Sequence, residues 1–569
     1  MSMNQVKNIS VAYRLLLGSL MLVLPLGMMS VVEKNVPGRR NADPHRRTGI
    51  PAIPPNIILI MADDMGYSDI GCFGSEIQTP NLDRMARNGL RMTQFYNASR
   101  CCPTRASLLT GLYPHQAGVG DMVGDRGQAA YQGYLNQQCV TIAEALRPAG
   151  YRTYMAGKWH VGTTPDHWPV KRGFDRYFGL IDGASSYFNN HPYRPNQTLT
   201  TALDDQPITP GPDYYATNAY ADYALKFIDG NPKDNPFFLY LAFTAPHWPL
   251  HALPQDVVKY RGKHAGGWDQ IRAARFSRMK KLGILDPTTT LSPRDSTIPA
   301  WNTLNETEKA RWSDDMATYA AMIDRMDQNI GRILARLRER GDDRNTIILF
   351  LSDNGASHET TNGNGFLPSI VERSKLPASD TASFTAYGRR GANVSNTPFR
   401  LYKHWEYEGG TATSFIAYGP SVVKPGRVSH QPGHIIDLMS TCLDLAGATY
   451  PRTYNGHTIT PTEGISLVPL LKGQSRLGQS RLSPAWTGHD ALYFEHEGNR
   501  AVRQGDWKLV STYPADSWAL YNLKTDRTEL HDRSQQQPQR VRQMAALYDA
   551  WAKRVGVIPY AKLTKLAEN

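Results

Sequence analysis

Three continuous apolar runs constrain the fold of this chain most. Asn56-Ile57-Ile58-Leu59-Ile60-Met61, Phe237–Phe243 and Thr346–Leu351 lack the polar alternation of a half-exposed strand. They read as strands buried on both faces, which need helices above and below them. Helical stretches lie between the runs at Thr141–Pro148 and Met316–Arg340. In the second, Met316, Tyr319, Ala320, Ile323, Met326, Ile330, Ile333, Leu334 and Leu337 recur at three- and four-residue steps, which makes one apolar face. Strands alternating with helices imply an α/β fold, a mostly parallel sheet sandwiched by helices. A chain of 569 residues can bury one such core and a smaller appendage.

The appendage is expected at the C-terminus, over residues 484–569, after a main domain at 55–483. Ala491–Phe494, Arg500–Arg503, Trp507–Ser511 and Trp518–Asn522 read as short strands joined by Gly- and Asp-containing turns, an antiparallel sheet. Val541, Met544, Leu547, Tyr548, Trp551 and Val555 then share one face of a closing helix. At the other end, Lys7 and Arg14 precede an apolar run from Leu15 to Val32. Residues 1–35 therefore read as a signal peptide or uncleaved anchor, 36–54 as a Pro- and Gly-containing linker, and the protein as exported, periplasmic or secreted. No second long apolar stretch follows. Five cysteines are too few for a disulfide framework in a chain this long. The net charge of +12 favours polyanionic partners, and no motif supports nucleic-acid binding.

The chemistry-bearing residues sit where such a sheet binds ligands, beyond the carboxyl ends of its strands. Asp63 and Asp64 end the first apolar run, and Asp353 and Asn354 follow the third. Three carboxylates and an amide oxygen brought together call for a cation, and all-oxygen donors suit a hard one, calcium or magnesium. Lys158 and His160, two apart in an extended stretch, are expected to face the same way. His247 follows the second run, with Pro246 holding Ala245 extended. Lys403 lies just beyond Gly355–Phe399, a long polar segment expected to wall a substrate pocket. His115, His251 and His404 are read as structural or peripheral.

The last element is Cys101-Cys102-Pro103-Thr104-Arg105, running on to Thr110-Gly111. Pro103 suits the first helical position, which places Cys101 at a helix N-terminus that favours anions. Arg105 adds forked donors for a tetrahedral oxyanion. This string resembles the signature of type I sulfatases, in which the first cysteine becomes Cα-formylglycine; Cys101 matches it, and Thr104 stands where serine is commoner. Asp63-Asp64-Met65-Gly66, Gly157-Lys158-Trp159-His160, Ala245-Pro246-His247, Ser352-Asp353-Asn354-Gly355 and Lys403 before Glu408-Gly409-Gly410 recur in that family in the same order. Gln78–Asp83 and Arg503–Lys508 resemble its bacterial arylsulfatase branch.

The resemblance implies an alkaline-phosphatase-like fold and one Ca²⁺ ion held by Asp63, Asp64, Asp353, Asn354 and the modified Cys101. It also implies a maturation enzyme that generates formylglycine. The hydrated aldehyde at Cys101 would attack sulfur, while Arg105, Lys158 and Lys403 hold the anionic oxygens. His247, helped by Lys403, would protonate the leaving oxygen, and His160 would deprotonate the second hydroxyl to expel sulfate. Substrates would be small aryl sulfates or sulfated carbohydrates. Two other readings use the same residues: a phosphate-ester or phosphonate hydrolase, and a catalytically silent protein that binds sulfated glycans.

Overall fold

A computed structural model describes residues 54–474 and 488–566. The expected signal or anchor, all of the linker but Pro54, and the boundary at 483/484 lie outside the described residues.

The main sheet has ten strands: β1 (Asn56–Ala62), β2 (Leu90–Tyr96), β3 (Arg152–Gly157), β4 (Arg176–Leu180), β5 (Thr201–Leu203), β6 (Gln206–Ile208), β7 (Phe237–Ala242), β8 (Thr346–Ser352), β9 (Ala412–Tyr418) and β10 (Arg427–His434). Their order is β10-β2-β9-β8-β1-β7-β3-β4-β5-β6. The three apolar runs are β1, β7 and β8, which lie side by side and parallel, β1 between its two partners. Alternate residues of β1 enter opposite cores: Ile58 and Ile60 pack on one face, and Ile57, Leu59 and Met61 on the other. This is why the run shows no polar alternation.

Parallel pairing continues through β7–β3 and β3–β4, whereas β9 runs antiparallel to both β8 and β2. The reversal matters for the site. The carboxyl ends of β1, β2, β3, β7 and β8 and the amino end of β9 all reach one edge of the sheet. Every expected site residue follows one of those five strands or precedes β9.

The helix Glu306–Arg340 covers one face, with Met316, Tyr319, Ile323, Ile330 and Leu337 in that core. It begins ten residues before the apolar periodicity does. Asn305 accepts a bond from the Glu308 N–H and Glu308 reaches back, a capping box that lets a polar first segment stay helical. The helices Cys101–Thr110, Ile142–Leu146 and Asp437–Ala446 cover the other face. After a small ribbon of β11 (Thr453–Tyr454) and β12 (His457–Thr458), a four-stranded antiparallel sheet follows. It comprises β13 (Leu492–His496), β14 (Asn499–Gln504), β15 (Trp507–Ser511) and β16 (Trp518–Asn522), with the helix Pro538–Val555 packed against it.

The segment from Gly355 to Phe399 is not simply a loop. It holds two short helices, Pro368–Arg373 and Gly388–Ser395, and Ile370 and Phe384 pack with Tyr193 and Trp248. Those buried apolar side chains, spaced among polar ones, are what order it.

Candidate active site

The turn after β1 brings both aspartates inward. Asp64 adopts a left-handed backbone conformation (φ 61°), so the two side chains need not alternate as they would in a strand. The Asp64 N–H donates to Asp353 Oδ1 at 3.2 Å, and Asn354 Nδ2 donates to Asp64 Oδ1 at 2.6 Å. The acids after β1 and β8 thus meet directly, as their strand register requires. Each is matched by a cation. Lys158 Nζ lies 2.5 Å from Asp63 Oδ2, Arg105 Nη2 lies 2.8 Å from Asp353 Oδ2, and Lys403 Nζ lies 2.9 Å from Asp64 Oδ1. Arg105 also donates to the Lys158 carbonyl at 2.9 Å. All of these side chains are buried.

Cys101 is the first residue of its helix, and Pro103 is the third rather than the first. The missing N–H still falls among first-turn groups that have no partner inside the helix. The Cys102 thiol draws the Cys101 thiol well below its ordinary value against the opposing effect of burial, aided by Lys158, His160 and Lys403. Cys102 also donates to the Asp121 carbonyl at 3.7 Å. All five cysteines are free and buried.

Lys158 and His160 both approach Cys101, though not through an extended strand. β3 ends at Gly157 and His160 has φ 56°, so a backbone turn aims the ring. Gly183 makes room for it, because a Cβ there would lie 2.5 Å from His160 Nε2. Burial lowers His160 to about 4 and leaves it neutral, with Nδ1 unpartnered. His247 sits past the end of β7, between cis Ala245–Pro246 and Trp248–Pro249 bonds. Its Nδ1 donates to the Trp248 carbonyl at 2.6 Å, which leaves Nε2 free of a proton, 3.4 Å from Asp64 Oδ2. Burial lowers His247 to about 4 as well.

The acids bear on what the site could hold. Burial raises Asp63, and burial together with Asp63 raises Asp353 to about 7. Lys403 and His247 outweigh burial at Asp64 and lower it. Asp63 Oδ1 and Asn354 Oδ1 are buried without any hydrogen-bond partner. Orphaned buried oxygens are costly unless something binds them. Oxygens of this kind fit a hard divalent cation, and the expected ligands Asp63, Asp64, Asp353 and Asn354 are assembled around them.

Two residues that the motifs did not reveal complete the surroundings. Glu359 lies 2.9 Å from Arg100 and 3.5 Å from Lys403, and accepts a bond from the Trp248 indole at 2.8 Å. Glu406 accepts from Ser99 Oγ at 2.8 Å. Neither has a local signal, because each partner is remote in sequence. His115 pairs with Glu495 at 2.9 Å, and His251 donates to the Ser383 carbonyl at 2.6 Å, both outside this cluster.

Comparison with known proteins matches this arrangement. The sulfatase family model covers residues 55–448, and a second model, N-sulphoglucosamine sulphohydrolase C-terminal, covers residues 399–549. An uncharacterised sulfatase of Schizosaccharomyces pombe is 32% identical over 538 residues, 89% of this chain and 94% of that one. The arylsulfatase of Klebsiella aerogenes is 35% identical over 444 residues, 75% of this chain and 94% of its own. The crystal structure of Ps i-CgsB in complex with k-i-k-neocarrahexaose superposes with a TM-score of 0.64 at 27% identity, covering 88% of this chain and 93% of that one. The chain belongs to the sulfatase family. It is a sulfuric ester hydrolase with the alkaline-phosphatase-like fold of that family.

Proposed function

We propose that the enzyme hydrolyses aryl or carbohydrate sulfate esters using formylglycine made from Cys101 and one Ca²⁺ ion. The observation that carries this is the meeting of Cys101 with four oxygen-bearing side chains, two of whose buried oxygens have no partner. Asp63, Asp64, Asp353 and Asn354 would hold the ion, with position 101 completing the set. Bound there, calcium would neutralise sulfate charge and lower the pKa of a nearby hydroxyl. Hydrated formylglycine supplies one hydroxyl to attack sulfur and a second to release sulfate, which a thiol cannot do.

The remaining work belongs to the chain's own groups. Three carboxylates, Asp63, Asp64 and Asp353, face three cations, Lys158, Lys403 and Arg105. A divalent ion therefore leaves an excess of two positive charges, which a sulfate monoester and one ionised hydroxyl balance. Arg105 and Lys158 are held at fixed positions by Asp353 and Asp63, so they meet developing charge without reorganising. Lys403 stays charged despite burial because Asp64 and Glu359 stabilise its ammonium form. It stands beside His247, whose Nε2, once protonated, delivers that proton to the leaving oxygen. His160 is neutral and close to position 101, suited to take a proton from the second hydroxyl.

The segment Gly355–Phe399 walls the pocket in this reading, since it supplies Glu359 and packs against Trp248, next to His247. Exchanging it should change substrate preference. The basic residues before the Leu15–Val32 apolar run support export. A screen of sulfate release across aryl sulfates and defined sulfated oligosaccharides, with and without calcium, tests the whole reading. Calcium-dependent release from at least one class is expected. Release unaffected by chelation would remove the metal from the account.

A further inference from the structure

A second cluster of ligand-type side chains stands beside the catalytic one, and the reaction does not use it. His404 directly follows Lys403, and His496 and Glu497 lie at the tip of the β13–β14 hairpin. A nitrogen from each ring and a carboxylate oxygen all lie within 4.8 Å of one another. His404 Nδ1 is 2.9 Å from Glu497 Oε2, and His496 Nε2 is 3.7 Å from Glu497 Oε1. A zinc ion with bonds of about 2.0–2.2 Å sets tetrahedral ligands about 3.3 Å apart, and three ligand atoms within 4.8 Å of one another reach that spacing by side-chain rotation.

We propose that His404, His496 and Glu497 form a second metal site, for a zinc-class divalent ion. Four further observations support it. His496 is fully buried, yet neither ring nitrogen has a hydrogen-bond partner, the situation a bound ion relieves. His404 and Glu497 both hold left-handed backbone conformations, φ 92° and 49°, strain of the sort that persists at functional positions. Their side chains are 26% and 23% exposed, so an ion can enter and keep a water as its fourth ligand. Two imidazoles and one carboxylate form a nitrogen-rich set that prefers zinc to the calcium expected among the aspartates.

The surroundings permit the charge. Arg100 is the nearby cation, but Glu359 pairs with it at 2.9 Å; Asp121 also acts on His496. Burial keeps His496 neutral and therefore able to ligate. Asn499 Nδ2 now donates to His404 Nε2 at 3.1 Å. On metal binding Asn499 stays held by the His496 carbonyl at 3.2 Å and the Tyr513 N–H at 3.3 Å, while the proton on His404 Nδ1 passes through solvent to Nε2, which then donates to water in place of the Asn499 bond. Such an outer hydrogen bond orients the ring. The His404 N–H is also bonded to the Ser99 carbonyl at 2.9 Å, so the site would tie the hairpin to the segments that carry Lys403 and Cys101.

The test uses the mature, calcium-loaded enzyme titrated with Co²⁺ and read by visible absorption, followed by displacement with Zn²⁺. One equivalent should give the strong bands of four-coordinate cobalt without sulfur-to-metal charge transfer, and Zn²⁺ should abolish them. His496→Ala and Glu497→Gln, two variants in case one fails to fold, should each lose the bands and keep their calcium. No four-coordinate bands in the wild type, or bands that persist in both folded variants, would overturn the site. Either result leaves the sulfatase reading untouched.

Discussion

Two buried clusters of charge in this molecule look alike and behave differently. One is the candidate active site. The other lies where the C-terminal sheet meets the main sheet, where Lys508 Nζ sits 3.1 Å from Glu408 and 3.0 Å from Glu529, and Arg527 Nε sits 3.0 Å from Glu408. Tyr96 adds a bond to Glu408 at 2.9 Å, and the Glu408 N–H donates to Glu529 at 2.7 Å. In that seam each charge has an opposite charge in contact, and even Glu529 Oε1, without a hydrogen bond, has Lys508 beside it. In the active site, ion pairs of the same quality leave Asp63 Oδ1, Asn354 Oδ1 and His160 Nδ1 with nothing. The seam is complete in itself, whereas the site is complete only with what it binds. Buried charge alone therefore does not mark function; what sets this site apart is three open polar atoms converging on one place.

Substitutions should separate the two. Cys101→Ala should abolish sulfate release, by on the order of 10⁴-fold or more, because the nucleophile is lost outright, while the unfolding midpoint hardly moves. His247→Gln should slow esters with poor, alkyl-type leaving groups by about 10²–10⁴-fold, the range for a general acid, and affect nitrophenyl sulfate far less. A uniform loss across leaving groups would assign His247 another role. Glu408→Gln in the seam should do the opposite: Lys508 and Arg527 hold this carboxylate ionised, so the change should lower stability by about 3–5 kcal/mol, as breaking a buried pair does, measured by urea unfolding. The folded variant should retain kcat/KM.

The last test concerns pH. Burial raises Glu406 to about 8 from an ordinary 4.5. The folded protein then keeps a proton that the unfolded chain has already released, so this group's contribution falls as pH rises from about 4.5 to about 8. Glu406→Gln should remove that slope and make the protein more stable than the wild type near pH 8. Parallel stability curves for the two would contradict it.

The site was legible in the sequence because its residues follow strands whose apolar runs are unmistakable. Asp63, Asp64, Asp353 and Asn354 each come directly after such a run, and parallel β1 and β8 bring the pairs together. Local spacing did not show how the backbone turns at His160 and Asp64, since a left-handed conformation at a non-glycine residue is imposed by its surroundings. Glu359 was hidden because its partners, Arg100 and Lys403, are remote in sequence. The seam was equally hidden: Glu408 and Lys508 meet across 100 positions. β2 and β9 went unread because polar residues such as Arg91, Thr93 and Thr413 interrupt them. From sequence His404 reads as peripheral because its partners lie on a hairpin about ninety residues later.

The central claim is that Cys101 is the precursor of the nucleophile, and peptide mass spectrometry across residue 101 tests it most directly. After co-expression with a formylglycine-generating enzyme, the account predicts that this residue carries an aldehyde in place of its thiol. The aldehyde fraction should rise in proportion to sulfate release while Cys102 stays a thiol. An unmodified Cys101 in fully active protein would contradict it.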